Sequence, residues 1–511
     1  MTRLPGDVDV VIVGSGPIGA AYARILSERA PGARVIMLEV GPVVSDPPGA
    51  HVKNIVDPDA RAMAQLRSEG PGAGAATLTS PGAVRSGERR ARPGTFLLPD
   101  GYAFPGEDGI PMAAMSSNVG GMGAHWTCAC PRPGGSERIG FLDDLDELLD
   151  EADRLLGVTT HAFDDAPLAD VVRERLAAAV GARTPATRVQ PMPLAVHRLA
   201  DGTLVWSGSD VVMGDVTRAN PCFSLHDECL ATRVLVADGQ VSGVQVRDLR
   251  TGASTVIHSS HVVVAADALR TPQLLWHSGI RPEALGRYLN DQPQVIFAAR
   301  IRGAVPGATR QSRDGAISRH SGVSWVPFTE DLPFHGQVMQ LDASPVPLAD
   351  DDPVVPGSVV GVGLFCAKGI RADDRVEFSD SELDAYGMPA IQIHYVLTEH
   401  DREMLDRARR EIVRLCEAIG EPLGDAPITL PLGASLHYQG TTRMGTVDDG
   451  TSVCGPDSEV WSVRGLYVAG NGVIPTSTAA NPTLTSVALA VRGARRIAAK
   501  LTAPQLVRWS R

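Results

Sequence analysis

The sequence feature that most constrains the fold is a glycine-rich turn at residues 14–19, GSGPIG. An apolar strand pattern over residues 7–13 precedes the turn, and a helical pattern follows it. In such a turn Gly14 permits the sharp bend, Gly16 lets the backbone approach a pyrophosphate, and Gly19 lets the helix pack on the strand. The alternative is a glycine-rich turn that serves packing alone.

The segment after the turn favours the nucleotide interpretation. A second apolar run, residues 34–38, ends on Glu39. A carboxylate at this place accepts hydrogen bonds from a ribose hydroxyl and repels a 2′-phosphate. The pattern therefore predicts a bound adenine dinucleotide, and the motif by itself leaves NAD and FAD both open.

Length and charge restrict the class of protein. At 511 residues the chain predicts two domains, or one large domain with a second inserted into it. The net charge of −12 argues against nucleic acid and membrane surfaces, because both attract clustered Lys and Arg. No apolar run approaches the roughly 18 residues of a membrane span. We expect a soluble enzyme that acts on a small molecule as a monomer or a small homo-oligomer.

The cysteines and the amino terminus indicate the compartment. Seven cysteines without a CxxC spacing favour reduced thiols over a disulfide framework. Cys128 and Cys130 form only a CxC, so no metal site is predicted. The first residues lack the basic and apolar succession of a secretory signal. We therefore expect a cytoplasmic protein.

The strand patterns predict a nucleotide-binding domain that is discontinuous in sequence. An apolar run at residues 261–266 resembles the first strand although it lies far along the chain, and alternating strands dominate after residue 296. We predict an α/β fold with a Rossmann-like domain and an α+β substrate domain that has a large antiparallel sheet. The first comprises residues 1–155, 200–296 and 431–511, and the second comprises residues 156–199 and 297–430.

Two segments carry no regular pattern. Residues 68–94 predict a mobile surface excursion, because they are rich in Gly, Pro and Ser without periodicity. Residues 344–357 hold four prolines between two predicted strands. Their position predicts a surface loop that acts as a lid.

Near the carboxyl end, His437 and Asn481 are the first candidates for catalysis. His437 lies in SLHYQGTTRMG, and Asn481 with Pro482 precedes a helical pattern that begins at Thr483. The free N–H groups at such a helix start stabilise negative charge on a redox cofactor. The residues alone leave open a buried structural histidine and a helix-capping asparagine.

Two further turns predict backbone close to a ligand, which at the first of them is a flat ring system. The segment SSNVGGMGAHWTC contains Gly121 and ends with His125, Trp126 and Thr127, and Asn471 stands between two glycines after the last predicted strand. A tight core turn with a hydrogen-bonded histidine is the alternative.

These segments together resemble the glucose–methanol–choline (GMC) oxidoreductases. The likeness is carried by the dinucleotide motif with its flanking strand and helix and by three further segments: NVGGMGAHWTC, HYQGTTRMG and GLYVAGNGVIPTSTAANPTLT. Five segments are similar to the pyranose oxidase branch of the family: AHWTCACPRP, QPMPLAVHRLADGTLVWS, LRTPQLLWHSGI, HGQVMQLDAS and EFSDSELDAYGMP. The likeness extends over nearly the whole chain.

The resemblance implies FAD as the cofactor and a set of residues around it. It implies His437 as the catalytic histidine and Asn481 as its partner, and it matches His125 to a histidine that can carry the flavin covalently. The implied cofactor contacts are Gly14, Gly16, Gly19, Glu39, Gly121, His125, Trp126, Thr127, Asn471, Pro482 and Thr483. The implied substrate contacts are Gln337, Gln340 and Asp342.

The resemblance also implies the reaction. A sugar oxidase of this kind removes hydride from C2 or C3 of a pyranose or glycoside and reduces O2 to H2O2, with the histidine at a pKa near working pH. Residues 361–363 match a segment that holds an Arg in the sugar pocket of pyranose oxidases, and they contain none. This difference favours a glycoside with a bulky aglycone, such as a C-glycoside. A dehydrogenase that uses a quinone or another acceptor, and an NAD enzyme, stay open as alternatives.

Overall fold

A computed structural model describes residues 4–72, 91–99, 101–166, 168–301, 321–341 and 357–503. Most of the predicted surface excursion, and the predicted lid apart from Gly357, lie outside these residues. Numbered along the described chain, the helices are α1 Pro17–Arg29, α2 Pro58–Ser68, α3 Leu145–Leu156, α4 Ala169–Val180, α5 Ser209–Arg218, α6 Asp267–His277, α7 Glu399–Ile419 and α8 Thr483–Thr502.

A five-stranded parallel sheet forms the nucleotide-binding half. Its strands are β1 Val10–Val13, β2 Val35–Leu38, β8 Phe223–His226, β12 Val262–Val264 and β20 Leu466–Val468. They lie in the order β20, β12, β1, β2, β8, and all four pairs are parallel. Every residue of β1, β2, β12 and β20 is buried, as expected for a parallel sheet with both faces covered. The prediction of a discontinuous Rossmann-like domain is confirmed.

The strand order places a crevice beside the glycine-rich turn. The chain runs from β1 to β2 on one side and returns to β12 on the other, so the order reverses at the carboxyl end of β1. Gly14 has a φ of +103°, and a Cβ atom there would lie 2.3 Å from the carbonyl oxygen of Ala265, just after β12. Only glycine therefore fits where the two strand ends meet.

A six-stranded antiparallel sheet forms the second half. Its strands are β5 Gln190–Pro191, β13 Gln294–Ile301, β14 Gly322–Val326, β15 Phe334–Leu341, β16 Val359–Cys366 and β19 Gly420–Thr429. They lie in the order β19, β13, β16, β15, β14, β5. Helix α7 packs on β13, β16 and β19 through a stripe that includes Ala408, Ile412 and Leu415. This arrangement confirms the predicted antiparallel sheet backed by a helix.

Smaller sheets complete the described fold. A three-stranded sheet contains β9 Cys229–Ala237, β10 Gln240–Asp248 and β11 Ser254–His258. Three two-stranded ribbons pair β3 Phe96–Leu97 with β4 Ala114–Met115, β6 Val196–Arg198 with β7 Leu204–Trp206, and β17 Arg375–Leu383 with β18 Pro389–His394. Among the described residues, no helix has the length and apolar character needed to cross a membrane. The residue boundaries between the two domains stay a prediction.

Candidate active site

One cavity brings the nucleotide motif and the two catalytic candidates together. It has a volume of about 1950 Å³, open solvent at its mouth included. The predicted residues that line it are Gly14, Gly16, Glu39, Gly121, His125, Trp126, Thr127, His437, Asn471, Asn481 and Thr483. Residues that are far apart in the sequence therefore face one ligand space at the strand-order reversal.

The glycine-rich turn and Glu39 form a hydrogen-bonded unit at this cavity. One carboxylate oxygen of Glu39 accepts from the Ser15 N–H at 3.1 Å and from the Ser15 hydroxyl at 2.7 Å, and the other accepts from the Gly41 N–H at 3.0 Å. Burial raises the pKa of Glu39 above its usual value, although these hydrogen bonds oppose the rise. The Ser15 hydroxyl also accepts from the Gly120 N–H at 2.9 Å, which joins the nucleotide turn to the second glycine-rich turn.

His125 stands in the second glycine-rich turn with one ring nitrogen free. Its Nε2 lies 3.3 Å from Oδ1 of Asn118, whose amide nitrogen donates to the carbonyl of Val119, so Nε2 carries the hydrogen. Its Nδ1 is buried and has no hydrogen-bond partner among the described residues. Burial lowers the pKa of His125 to about 4. A neutral imidazole thus presents an unpartnered lone pair at the cavity wall.

The tautomer of His437 is fixed by Gln292. The Gln292 amide nitrogen donates to the carbonyl of Ala480 at 2.7 Å and to the hydroxyl of Thr478 at 3.1 Å. Its oxygen therefore faces Nδ1 of His437, at 2.7 Å, and must accept the Nδ1 hydrogen. The lone pair of His437 consequently lies on Nε2.

The amide of Asn481 is oriented in the same way. Gln337 Nε2 donates to the Asn481 oxygen at 2.7 Å, so the Asn481 amide nitrogen turns toward Nε2 of His437, at 3.2 Å. Asn481 makes no capping hydrogen bond to α8, whose N-cap residue is Pro482. The helix-cap alternative is therefore wrong, and the Asn481 amide instead contacts the imidazole.

Burial makes His437 a neutral base. Desolvation, together with smaller electrostatic effects of Arg92 and His335, lowers the pKa of His437 to about 3. The expected pKa near working pH is wrong for this cavity, because the imidazole has lost most of its water. A neutral imidazole with its lone pair on Nε2 can accept a proton from a hydroxyl group.

Several predicted residues lie away from the cavity wall. Gly19 packs against the turn, where a Cβ atom would lie 2.1 Å from the Gly14 carbonyl oxygen, and Pro482 also does not line the cavity. Gln337 reaches the site through Asn481. Gln340 lies on the opposite face of β15 and donates to the Gly357 carbonyl at 3.2 Å. Asp342 lies outside the described residues.

Other functional neighbours have no signal in the local sequence. Phe365 stacks on the His437 ring at a centroid distance of 5.8 Å, and His335 meets Phe365 edge-on at 5.4 Å. Trp325 donates its indole hydrogen to His335 Nδ1 at 2.9 Å. Together with Gln292 these side chains come from β14, β15, β16 and the loop before β13, and only the tertiary fold brings them to His437.

The implied cofactor fits these residues. A helix start at Pro17 and the bend at Gly14 leave backbone N–H groups for a pyrophosphate, and Glu39 supplies a buried acceptor beside them. His125, whose buried Nδ1 has no hydrogen-bond partner among the described residues, lines the same cavity. Asn471, just after β20, and Thr483, the first residue of α8, complete that wall.

Comparisons with known proteins agree with this geometry. Two family models, both described as GMC oxidoreductase, match residues 140–294 and 371–490. A C-glycoside 3-oxidase of Arthrobacter globiformis is 70% identical over 507 residues, which cover 99% of this chain and 98% of that protein. A pyranose 2-oxidase of Tricholoma matsutake is 32% identical, over 96% of this chain and 94% of that protein. The crystal structure of a pyridoxine 4-oxidase from Mesorbium loti, 20% identical, shares the fold with a TM-score of 0.64 over 96% of this chain and 99% of that one.

Proposed function

The chain belongs to the GMC oxidoreductase family, and from this membership we propose that it is a sugar oxidase that oxidises one secondary ring hydroxyl of a glycoside. FAD is its cofactor. The 70% identity to a C-glycoside 3-oxidase supports C3 as the oxidised carbon and a C-glycoside as the substrate. O2 takes the electrons and leaves as H2O2.

One observation carries the proposal, the directional hydrogen-bond chain Gln337–Asn481–His437–Gln292. It places the Nε2 lone pair of His437 and the amide nitrogen of Asn481, hydrogen-bonded to each other at 3.2 Å, at the wall of the cavity that holds the nucleotide motif. The pair suits an alcohol, because one partner removes the hydroxyl proton and the other stabilises the negative oxygen that results.

The protein groups divide the work as follows. Nε2 of His437 takes the proton of the sugar hydroxyl, and Gln292 stabilises the imidazolium by accepting the Nδ1 hydrogen. The Asn481 amide nitrogen leaves Nε2 and donates to the developing alkoxide. FAD, when bound, supplies the acceptor for the hydride that leaves the same carbon. Phe365, stacked on His437, keeps the imidazole plane in one orientation.

Anaerobic reduction of the bound flavin tests the proposal. The purified holoenzyme is mixed without O2 with a C-glycoside, an O-glycoside and free glucose, and the flavin absorbance is followed. We expect the C-glycoside to bleach the flavin fastest and to yield the 3-keto product. Bleaching by none of these sugars contradicts the proposed activity, and a 2-keto product from glucose contradicts the assignment to C3.

The electron acceptor is tested with the reduced enzyme. We expect O2 to reoxidise it with one H2O2 formed for each sugar oxidised. A dehydrogenase of the same fold would react slowly with O2 and rapidly with a quinone or a dye. Peroxide yield compared with dye reduction therefore separates the oxidase from the dehydrogenase.

We also propose a cytoplasmic location and the predicted domain division. All seven cysteines are free in the structure, and Cys222 is the one that is not buried. Reduced thiols of this kind suit a reducing compartment. The domain boundaries and the monomer or small homo-oligomer stay proposals, which limited proteolysis and light scattering test.

A further inference from the structure

A buried carboxyl group holds the backbone just before Asn481. Glu137, 1% exposed, ends the short 3-10 helix Gly135–Glu137. Its Oε1 accepts hydrogen bonds from the N–H of Ala479 at 2.7 Å and from the N–H of Ala480 at 2.8 Å. The Ala479 and Ala480 side chains make no hydrogen bonds, so polar contacts can hold this segment only through its backbone N–H and C=O groups.

Glu137 is itself firmly held. Its Oε2 accepts from the Gly134 N–H at 2.8 Å, and its carbonyl oxygen accepts from the Thr476 hydroxyl at 2.8 Å. Burial raises the pKa of Glu137, while the hydrogen bonds from Gly134, Ala480 and Ala479 lower it. Both carboxyl oxygens act as acceptors, so these hydrogen bonds favour the ionised form and offset part of its desolvation, and the pKa of Glu137 stays raised.

The other side of Ala480 is held by the residue that fixes His437. The Ala480 carbonyl accepts from Gln292 Nε2, and Gln292 Oε1 accepts from His437 Nδ1. Ala480 is thus fixed between Glu137 and Gln292, and Asn481 is the next residue. Gln337 orients the Asn481 side chain, and this link holds the backbone from which that side chain projects.

We infer that Glu137 is a positioning residue that sets Asn481 against the His437 base in the proposed sugar oxidation. The inference rests on the proposed function. Loss of the two Glu137 hydrogen bonds frees the backbone before Asn481, and a displacement of about 1 Å at a reacting group costs on the order of 100-fold in rate. The loss falls on the flavin reduction rate and leaves the binding of the sugar nearly unchanged.

The experiment measures anaerobic flavin reduction by a C-glycoside in stopped flow, for the holoenzyme and its variants. Glu137→Ala removes both bonds, and Glu137→Gln keeps one oxygen that can accept from the two alanine N–H groups. We expect the limiting rate to fall about 10- to 100-fold in Glu137→Ala and less in Glu137→Gln. Glu330→Ala is the matched control, because Glu330 accepts from the Ser136 N–H at 2.8 Å in the same turn without reaching Ala479.

A double-mutant cycle separates positioning from general damage. If Glu137 acts through Asn481, Glu137→Ala has no further effect on the reduction rate once Asn481 is replaced by Ala, within about twofold. Additive losses in the double variant overturn the inference, and so does a Glu137→Ala enzyme that reduces its flavin at the wild-type rate. A wild-type enzyme that no sugar bleaches refutes the proposed function instead. Flavin content and thermal melting identify a variant that fails to fold, and Glu137→Gln then carries the test.

Discussion

Substituting Gln292 by Glu is expected to move the acid limit of catalysis. In the wild-type site a neutral amide oxygen accepts the Nδ1 hydrogen of His437. A carboxylate at the same place stabilises the imidazolium, so His437 becomes easier to protonate. The protonated ring has no lone pair on Nε2 and cannot take the proton of the sugar.

The size of the shift follows from the surroundings of His437. Burial lowers its pKa to about 3, so the wild-type base stays neutral until the pH falls to that range. An opposite charge at hydrogen-bond distance raises such a pKa by about 1–3 units, which places the new value at about 4 to 6. Activity is present above the pKa and is lost as the pH falls through it. The acid limb of the variant should therefore lie at about pH 4 to 6.

The assay measures the anaerobic flavin reduction rate and the sugar dissociation constant at each pH, and their ratio is followed as a function of pH. Gln292→Leu is the control, because both variants lose the donors to Ala480 and Thr478 and only Glu adds a charge. The Leu variant should lose roughly 5- to 150-fold in rate, equivalent to about 1–3 kcal/mol for an unsatisfied buried Nδ1–H, with no acid limb above that of the wild type. An unchanged pH profile in Gln292→Glu, with the flavin bound, would refute the assigned contact.

Three more substitutions test other parts of the structure. Gly94→Ala should lower the flavin content, because a Cβ atom there would lie 2.4 Å from Cε1 of His125; a full flavin-to-protein absorbance ratio argues against it. Lys368→Met should cost about 3–5 kcal/mol in the free energy of unfolding, measured in denaturant, because it removes the cation at 2.5 Å from the buried Asp374 and leaves, among the described residues, only Arg371, at 3.9 Å. Gln340→Ala should leave the sugar dissociation constant within about twofold of the wild type while stability falls. A larger change in the sugar dissociation constant would show that Gln340 contacts the substrate.

Most of the parallel sheet could be predicted because its strands are apolar throughout. The patterns at β1, β2, β12 and β20 each gave a strand at the right place, since strands buried on both faces need no polar residues. The edge strand β8, FSLH, is only half-buried at every position. It therefore lacks the continuous apolar run, and its place beside β2 follows only from the tertiary structure.

The strand period bears on one part of the site prediction. The resemblance implies substrate contacts for both Gln337 and Gln340, although the two lie three positions apart on one strand. Successive side chains on a strand point to opposite faces, so an odd separation excludes a shared face. The structure follows this rule, with Gln337 bonded to Asn481 and Gln340 bonded to the Gly357 carbonyl behind the sheet.

The orientation of the site could not be predicted because it is set by backbone carbonyls and loop hydroxyls. The resemblance implies His437 and Asn481 as a pair, but it does not determine which imidazole nitrogen carries the hydrogen and which carries the lone pair. That depends on Gln292, whose direction is imposed by the Ala480 carbonyl and the Thr478 hydroxyl. The Thr478 hydroxyl in turn donates to Gln439 Oε1 at 3.1 Å, so it can only accept from Gln292. The Nε2 lone pair, which accepts from the Asn481 amide nitrogen at 3.2 Å, is thus one link in a one-way series of donors and acceptors. Reversing the Gln292 amide would set a donor against Nδ1 and move the hydrogen to Nε2, which would remove the base without removing the histidine.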